Sequence, residues 1–324
     1  MSEATRAALQ GQIAEGKTTP PAGRWRPAPM VRAIFVLHVV CAAVLVIDVA
    51  AWPWLLGLVA ASHLLLGLAV LFPRAPFLGT NLTRLPAAAA ARGEVALTFD
   101  DGPDPAVTPR VLDLLEQYGM RASFFLIAEK ALAHPDLVRE ILRRGHQIEN
   151  HSFHHQASFS VHGYRRLARE VDAAQQALGS LSERAPRFFR APAGFRSPML
   201  DPVLARRGLR YVSWTRRGFD AVERDPAKVL ARLMHRLAAG DVLLMHDGNP
   251  ARTEAGEPVV LVVLPALLEA LRARGLVSVA LGSAFADAPA GAATPQSAAP
   301  VPHALPPRSV AIPARVSARK GRVS

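Results

Sequence analysis

Val95-Ala96-Leu97-Thr98-Phe99-Asp100-Asp101-Gly102-Pro103 carries an apolar run onto two adjacent carboxylates and then into a turn. Neighbouring residues of a strand point to opposite faces, but where the backbone bends at the strand's C-terminal end both acids can reach one cavity. One can bind a cation while the other takes a proton. Turn punctuation by itself explains many Asp-Gly-Pro sequences. Here the residues further along the chain add chemistry to it.

Beyond the first run at 95–99, β-rich runs fall at 122–127, 147–150, 187–190, 210–214, 241–246 and 277–281. Helical patterns separate them at 108–118, 137–144, 164–181, 226–239 and 259–274. This alternation predicts an α/β domain over residues 93–284 in which parallel strands are joined by helical crossovers, about seven units in all. Asp100/Asp101, His151/His155, Arg190, Trp214 and His246 fall at strand ends. In a β/α barrel those ends converge on the face that carries the active site. An open doubly wound sheet gives the same local pattern.

Upstream, the stretch from Val31 to Phe72 is uncharged apart from Arg32 and Asp48. It is about twice the roughly 20 residues of a spanning helix, and Pro53 stands at its middle beside Trp52 and Trp54. A transmembrane hairpin over 30–73, with helices at about 33–50 and 54–72, is expected, its tryptophans marking the far interface. One spanning helix plus one interfacial helix is the alternative. Arg24, Arg26 and Arg32 stand at the start of the segment, Arg74 and Arg84 follow it, and the turn has no basic residue. A hairpin therefore leaves both ends, and the domain, on the cytoplasmic side of a bacterial-type inner membrane, whereas a single span puts the domain outside.

Residues 1–29 read as a disordered basic leader, 74–92 as a linker in which Pro86 to Ala91 is a spacer, and 285–324 as a disordered Ala/Pro-rich basic tail. The lone Cys41 excludes an intramolecular disulfide. The net charge of +12 comes from scattered Lys and Arg, not from an aromatic-interleaved patch, so membrane lipid and not nucleic acid is the expected anionic neighbour. Nothing marks a protein partner.

Asn150-His151-Ser152-Phe153-His154-His155 places two imidazoles four residues apart, able to face one side on a helical turn or a wound loop. Two histidines and one carboxylate make a three-ligand site with an open position, as catalytic zinc uses. With the Asp pair, this His segment, Arg190-Ala191-Pro192-Ala193-Gly194 and Leu244-Met245-His246 in that order, the chain resembles the polysaccharide deacetylases of carbohydrate esterase family 4, the NodB homology domain.

The resemblance implies a distorted (β/α) barrel and a metal-dependent hydrolase that removes an N-acyl group, acetyl above all, from an amino sugar in a polysaccharide or lipid-linked glycan precursor. It implies that Asp100 is the general base, that Asp101, His151 and His155 hold the metal, and that His246 is the general acid. By the same resemblance Arg190 orients the base, Leu244 walls the acyl pocket with Trp214 beside it, and Asp220 tunes His246. Zinc is the first expected metal, with cobalt or nickel acceptable to the same ligands. The motif around Asp220 departs from the family: Ala221 replaces the usual tryptophan and Arg217 stands where an acid is common. An Arg216/Arg217 pair near the pocket would favour an anionic substrate group, such as the phosphate of a polyprenyl-linked sugar. The contrasting reading is a non-catalytic, membrane-anchored carbohydrate- or metal-binding protein on the same fold. The intact set Asp100, Asp101, His151, His155 and His246 argues against it.

Overall fold

A computed structural model describes residues 25–286; residues 1–24 of the leader expected over 1–29 and residues 287–324 of the tail expected over 285–324 lie outside the described residues. Pro29 opens a helix and Phe285 is buried in the core, so neither belongs to a disordered end. Two apolar helices come first, α1 (Pro29–Ile47) and α2 (Trp52–Val70). Each has 19 residues, about 28 Å at 1.5 Å per residue, close to a hydrocarbon core of about 30 Å. Both begin some residues before the expected 33 and 54, because a proline occupies the first turn of each, where its missing N–H costs nothing. Asp48 turns the chain between them by accepting from Ala50 N at 3.0 Å. The rings of His38 and His63 meet edge to face at 5.1 Å. Their Nδ1 atoms lie 2.7 and 2.9 Å from the carbonyls of Ile34 and Val59, which satisfies polar tips on otherwise apolar helices. Val46, Ile47 and Trp54 stand exposed, as lipid-facing side chains would.

A short helix α3 (Ala87–Ala91) leads into β1 (Glu94–Asp100), α4 (Thr108–Gln117), β2 (Ala122–Leu126), α5 (Ala128–Ala133) and α6 (Pro135–Arg143). Then come β3 (Gln147–Asn150), α7 (Tyr164–Ser180), β4 (Phe188–Phe189), α8 (Leu200–Ala205), β5 (Arg210–Tyr211) and β6 (Arg216–Arg217). The domain ends with α9 (Pro226–Met234), β7 (Val242–His246), α10 (Val259–Ala273), β8 (Val277–Ser278) and α11 (Leu281–Ala284). The strands run parallel in the order β5-β4-β3-β2-β1-β7-β6, with β8 on the start of β1.

β5 and β6 are consecutive pieces of one run. Residues 210–217 therefore pair with β4 at their start and with β7 at their end, and curl the sheet into a distorted barrel. The change of partner divides the single strand expected at 210–214, and Trp214 falls at the break. The slot so formed is filled by residues 82–85: Leu82 N donates to Tyr211 O at 3.0 Å, Ser213 N to Leu82 O at 3.0 Å, and Leu85 N to Gly240 O at 2.8 Å.

This corrects the reading of 74–92 as a linker and of Pro86 to Ala91 as a spacer. Leu78, Leu82, Leu85 and Ala89 are buried, and the last three pack with Ala96, Phe125, Phe188, Val212 and Val242. Leucines spaced irregularly among Pro and Ala show no period, so the segment's role as a barrel plug was not legible. The opposite face of β1, Val95, Leu97 and Phe99, packs against helices through Val111, Leu115, Leu264 and Leu268. Each such fully buried side chain contributes about 1.5–3 kcal/mol. That anchors the strand whose last two residues carry the chemistry.

Candidate active site

Strand alternation turns Ala96, Thr98 and Asp100 inward and would send Asp101 the other way. Instead Asp101 adopts a left-handed backbone, φ 70°, which brings its carboxylate back toward the same cavity. That conformation costs a residue with a Cβ about 1–2 kcal/mol. Lys130 Nζ, donating to Asp101 O at 2.9 Å, and Gly248 N, donating to Asp100 O at 3.2 Å, brace it. Gly102 follows of necessity, since a Cβ there would overlap the Asp247 carboxylate.

The His segment is a wound loop. Ser152 and His155 both have positive φ, 68° and 53°, and Asn150 Oδ1 accepts from Ser152 N at 2.9 Å. The result is that His151 Nε2 and His155 Nε2 lie 3.3 and 3.2 Å from Asp101 Oδ1. His151 Nδ1 donates to Arg190 O at 2.9 Å, which fixes the tautomer and leaves the Nε2 lone pair facing the carboxylate. Asp101 Oδ1 is buried without a hydrogen-bond partner. Tetrahedral bonds of about 2.0–2.1 Å would separate ligand atoms by about 3.3 Å, so the spacing and the orphaned oxygen fit a divalent cation. Burial works against the Asp101 charge, but His151, His155 and His246 outweigh it and hold the carboxyl far below its ordinary range. Burial also pulls on His151, where Asp100 and Asp101 prevail and raise the pKa; at His155 burial and the neighbouring His151 lower it. His154 stays out of the cluster and binds Glu170 at 2.8 Å.

Asp100 Oδ1 receives Arg190 Nη1 at 2.6 Å, in a pair shut off from solvent. The guanidinium is held in turn by Thr98 Oγ1, Ser213 O and Val212 O, and lies 4.0 Å from the centre of the Phe125 ring. On the other wall Asp220, fully buried, accepts from His246 N at 2.7 Å and lies 2.9 Å from His246 Nδ1. The His246 Nε2 edge is thereby presented to the cavity. Burial lowers the His246 pKa, but the charge and hydrogen bond of Asp220, then Asp100 and Asp101, lift it to about 9.

Every predicted site residue reaches this place except that Arg190 and Asp220 act from behind the wall. Asp100, Asp101, His151, His155, Trp214, Leu244 and His246 line one pocket of about 170 Å³, together with Gly194, Arg217 and Ala221. Gly194 has φ 81°, and a Cβ on it would collide with the Trp214 ring. The expected Arg216/Arg217 pair is divided: Arg216 binds the buried Asp241 at 2.9 Å, and Arg217 lines the pocket. Sequence reasoning missed Thr98, Asn150 and Asp247. Asp247 is fully buried, accepts from the Thr108 hydroxyl at 2.6 Å, and burial pushes it up to about 7. Its place directly after His246 was the one available signal.

A parallel barrel that gathers a clamped carboxylate, a three-ligand cluster and an acid-tethered imidazole at its strand ends defines a hydrolase of the acyl-transfer type. The polysaccharide deacetylase family model matches residues 87–212. The chain is 32% identical over 209 residues to a chitooligosaccharide deacetylase of Sinorhizobium fredii, covering 60% of this chain and 94% of that protein. It superposes with a TM-score of 0.57 on the Bc1960 peptidoglycan N-acetylglucosamine deacetylase, at 26% identity over 64% of this chain and 92% of the other. With a family 4 carbohydrate esterase of Streptomyces lividans, in complex with acetate, the TM-score is 0.52 at 32% identity, over 57% and 91% of the two chains. The chain belongs to the polysaccharide deacetylase family.

Proposed function

We propose that this protein is a divalent-metal-dependent N-deacetylase of amino sugars in an envelope glycan, held at the membrane by residues 30–73. The observation that carries the reading is the meeting, in one pocket, of the orphaned Asp101 Oδ1 and its two imidazoles with Asp100 and His246. A cation held by Asp101, His151 and His155, zinc first and cobalt or nickel as alternatives, supplies Lewis-acid polarisation of the acyl carbonyl and acidifies water.

The remaining steps belong to the side chains. Asp100, aimed by Arg190, takes the proton of the attacking water as its oxygen bonds to the acyl carbon. The C–N bond then breaks, and His246 Nε2–H protonates the leaving nitrogen; the products are a carboxylate and a free amine. Leu244 and Trp214 wall the side of the pocket that receives the acyl methyl. Zinc-loaded protein is expected to release acetate stoichiometrically with amine from an N-acetylglucosamine oligosaccharide. Zinc binding without any acetate release would favour the non-catalytic reading.

Asp220 gives this scheme a pH signature. A histidine acting as acid works only while protonated, and Asp220 raises its pKa toward 9. The Asp220→Asn variant therefore loses the His246 proton at lower pH, and the basic limb of its kcat/KM profile moves to lower pH. An unmoved basic limb would remove Asp220 from the tuning of the acid.

The two ends of the hairpin return to the domain. The Trp25 indole donates to Asp201 at 2.8 Å and Arg74 Nη1 to Thr215 O at 3.4 Å. Together with the basic residues at both ends, this supports a domain on the cytoplasmic face. Fluorescent protein fused to the C-terminus of the full chain is expected to fold, and alkaline phosphatase there to stay inactive. Active phosphatase would move the domain outside.

A further inference from the structure

The catalytic pocket adjoins a cleft of about 570 Å³, the two sharing Ala193, Trp214 and Arg217 as wall residues. The far wall of that cleft is the chain leaving α2, Leu71 and Phe72 among it, both more than half exposed. Four arginines line the cleft: Arg74, Arg216, Arg217 and Arg232. Two of them are neutralised, Arg216 by Asp241 and Arg232 by Glu223. Among the described residues Arg217 makes no salt bridge and its buried Nε has no hydrogen-bond partner, although the carboxylates of Asp100, Asp220 and Asp101 are close enough to act on its charge. Its guanidinium is held between aromatic rings, 5.0 Å from the centre of Trp214 and 4.8 Å from that of Phe219. Such a clamp leaves the N–H fork rigid and free to receive an anion. Arg74 sits at the membrane-proximal mouth, and its one hydrogen bond among the described residues is to a carbonyl. Phe195 and Phe219 line the same cleft and are partly exposed, so the lip on this side of the pocket is apolar.

We propose that Arg217, with Arg74, binds the phosphate of a lipid-linked amino sugar, whose sugar reaches the catalytic pocket while its lipid lies along Leu71 and Phe72. The cleft sets the two environments such a substrate needs side by side, an apolar helix end and the wall of a polar pocket, with two cations that make no salt bridge among the described residues. An oligosaccharide in free solution would use neither the helix end nor the cations. The inference rests on the deacetylase reading above and names its substrate class.

The test uses the zinc-loaded full chain in detergent micelles with three probes: N-acetylglucosamine linked to farnesyl phosphate, soluble N-acetylglucosamine 1-phosphate, and neutral chitotriose. The prenyl-linked probe is expected to have the highest kcat/KM. Arg217→Ala is expected to lower it about ten- to hundredfold more than that of chitotriose, the scale of one lost charge-assisted contact, with the loss in KM and partial recovery in Arg217→Lys. Equal losses on the charged and neutral probes would overturn the phosphate contact. A soluble sugar phosphate used as well as the prenyl-linked one would overturn the lipid. Titration of the zinc-loaded Asp100→Asn protein with farnesyl phosphate separates the two readings. If no probe is turned over, the deacetylase reading fails, yet affinity that depends on Arg217 still supports the subsite and affinity indifferent to Arg217 overturns it.

Discussion

Asp100→Asn is expected to lower kcat by about 10²–10⁴-fold, the usual contribution of a positioned general base, while the protein still folds and binds zinc. The substitution is isosteric, so the new amide oxygen can still accept from Arg190 Nη1, which otherwise would be left as a buried unpaired cation. The ligand atoms on Asp101, His151 and His155 are untouched. What disappears is the negative oxygen, Asp100 Oδ2, that faces the pocket 3.8 Å from His151 Nε2. Acetate release measured beside zinc content separates the two roles assigned to this pair of acids. Turnover equal to that of the parent protein would take Asp100 out of the mechanism, and loss of zinc together with activity would make it a ligand.

His151→Ala is expected to reduce zinc affinity by more than about a hundredfold, since loss of a mere outer-shell partner already costs about 10–100-fold. The imidazole is buried and its Nδ1 is tied to Arg190 O, so the substitution removes a ligand atom that is held in place. Heat denaturation gives a readout independent of catalysis. Zinc raises the melting temperature of the parent by binding the folded state, and it is expected to leave the variant unmoved. Undiminished affinity in the variant would exclude His151 as a ligand. For the parent, chelation should abolish acetate release and added zinc should restore it.

Much of the candidate site was legible because its residues are chemically conspicuous where they stand. Paired aspartates closing an apolar run, two histidines one turn apart and a histidine closing Val242 to Met245 are costly to place there without a use. Asp220 was the faintest of these signals, since its motif departs from the family at Arg217 and Ala221. The bond to His246 that makes it part of the site spans 26 residues, and no local pattern reports it.

The sequence by itself determined the parallel β/α order and the two apolar helices, and nominated the candidate site residues through the family their motifs resemble, because periodicity and residue chemistry are local properties. Only the tertiary structure decided three things: that residues 82–85 fill the slot in the barrel, that Arg216 pairs with Asp241 while Arg217 makes no salt bridge among the described residues, and that a cleft lined by the chain leaving α2 shares a wall with the catalytic pocket. Each depends on which distant groups meet. Burial and charge pairing are set by contacts across the chain, and a one-dimensional pattern of residues does not contain them.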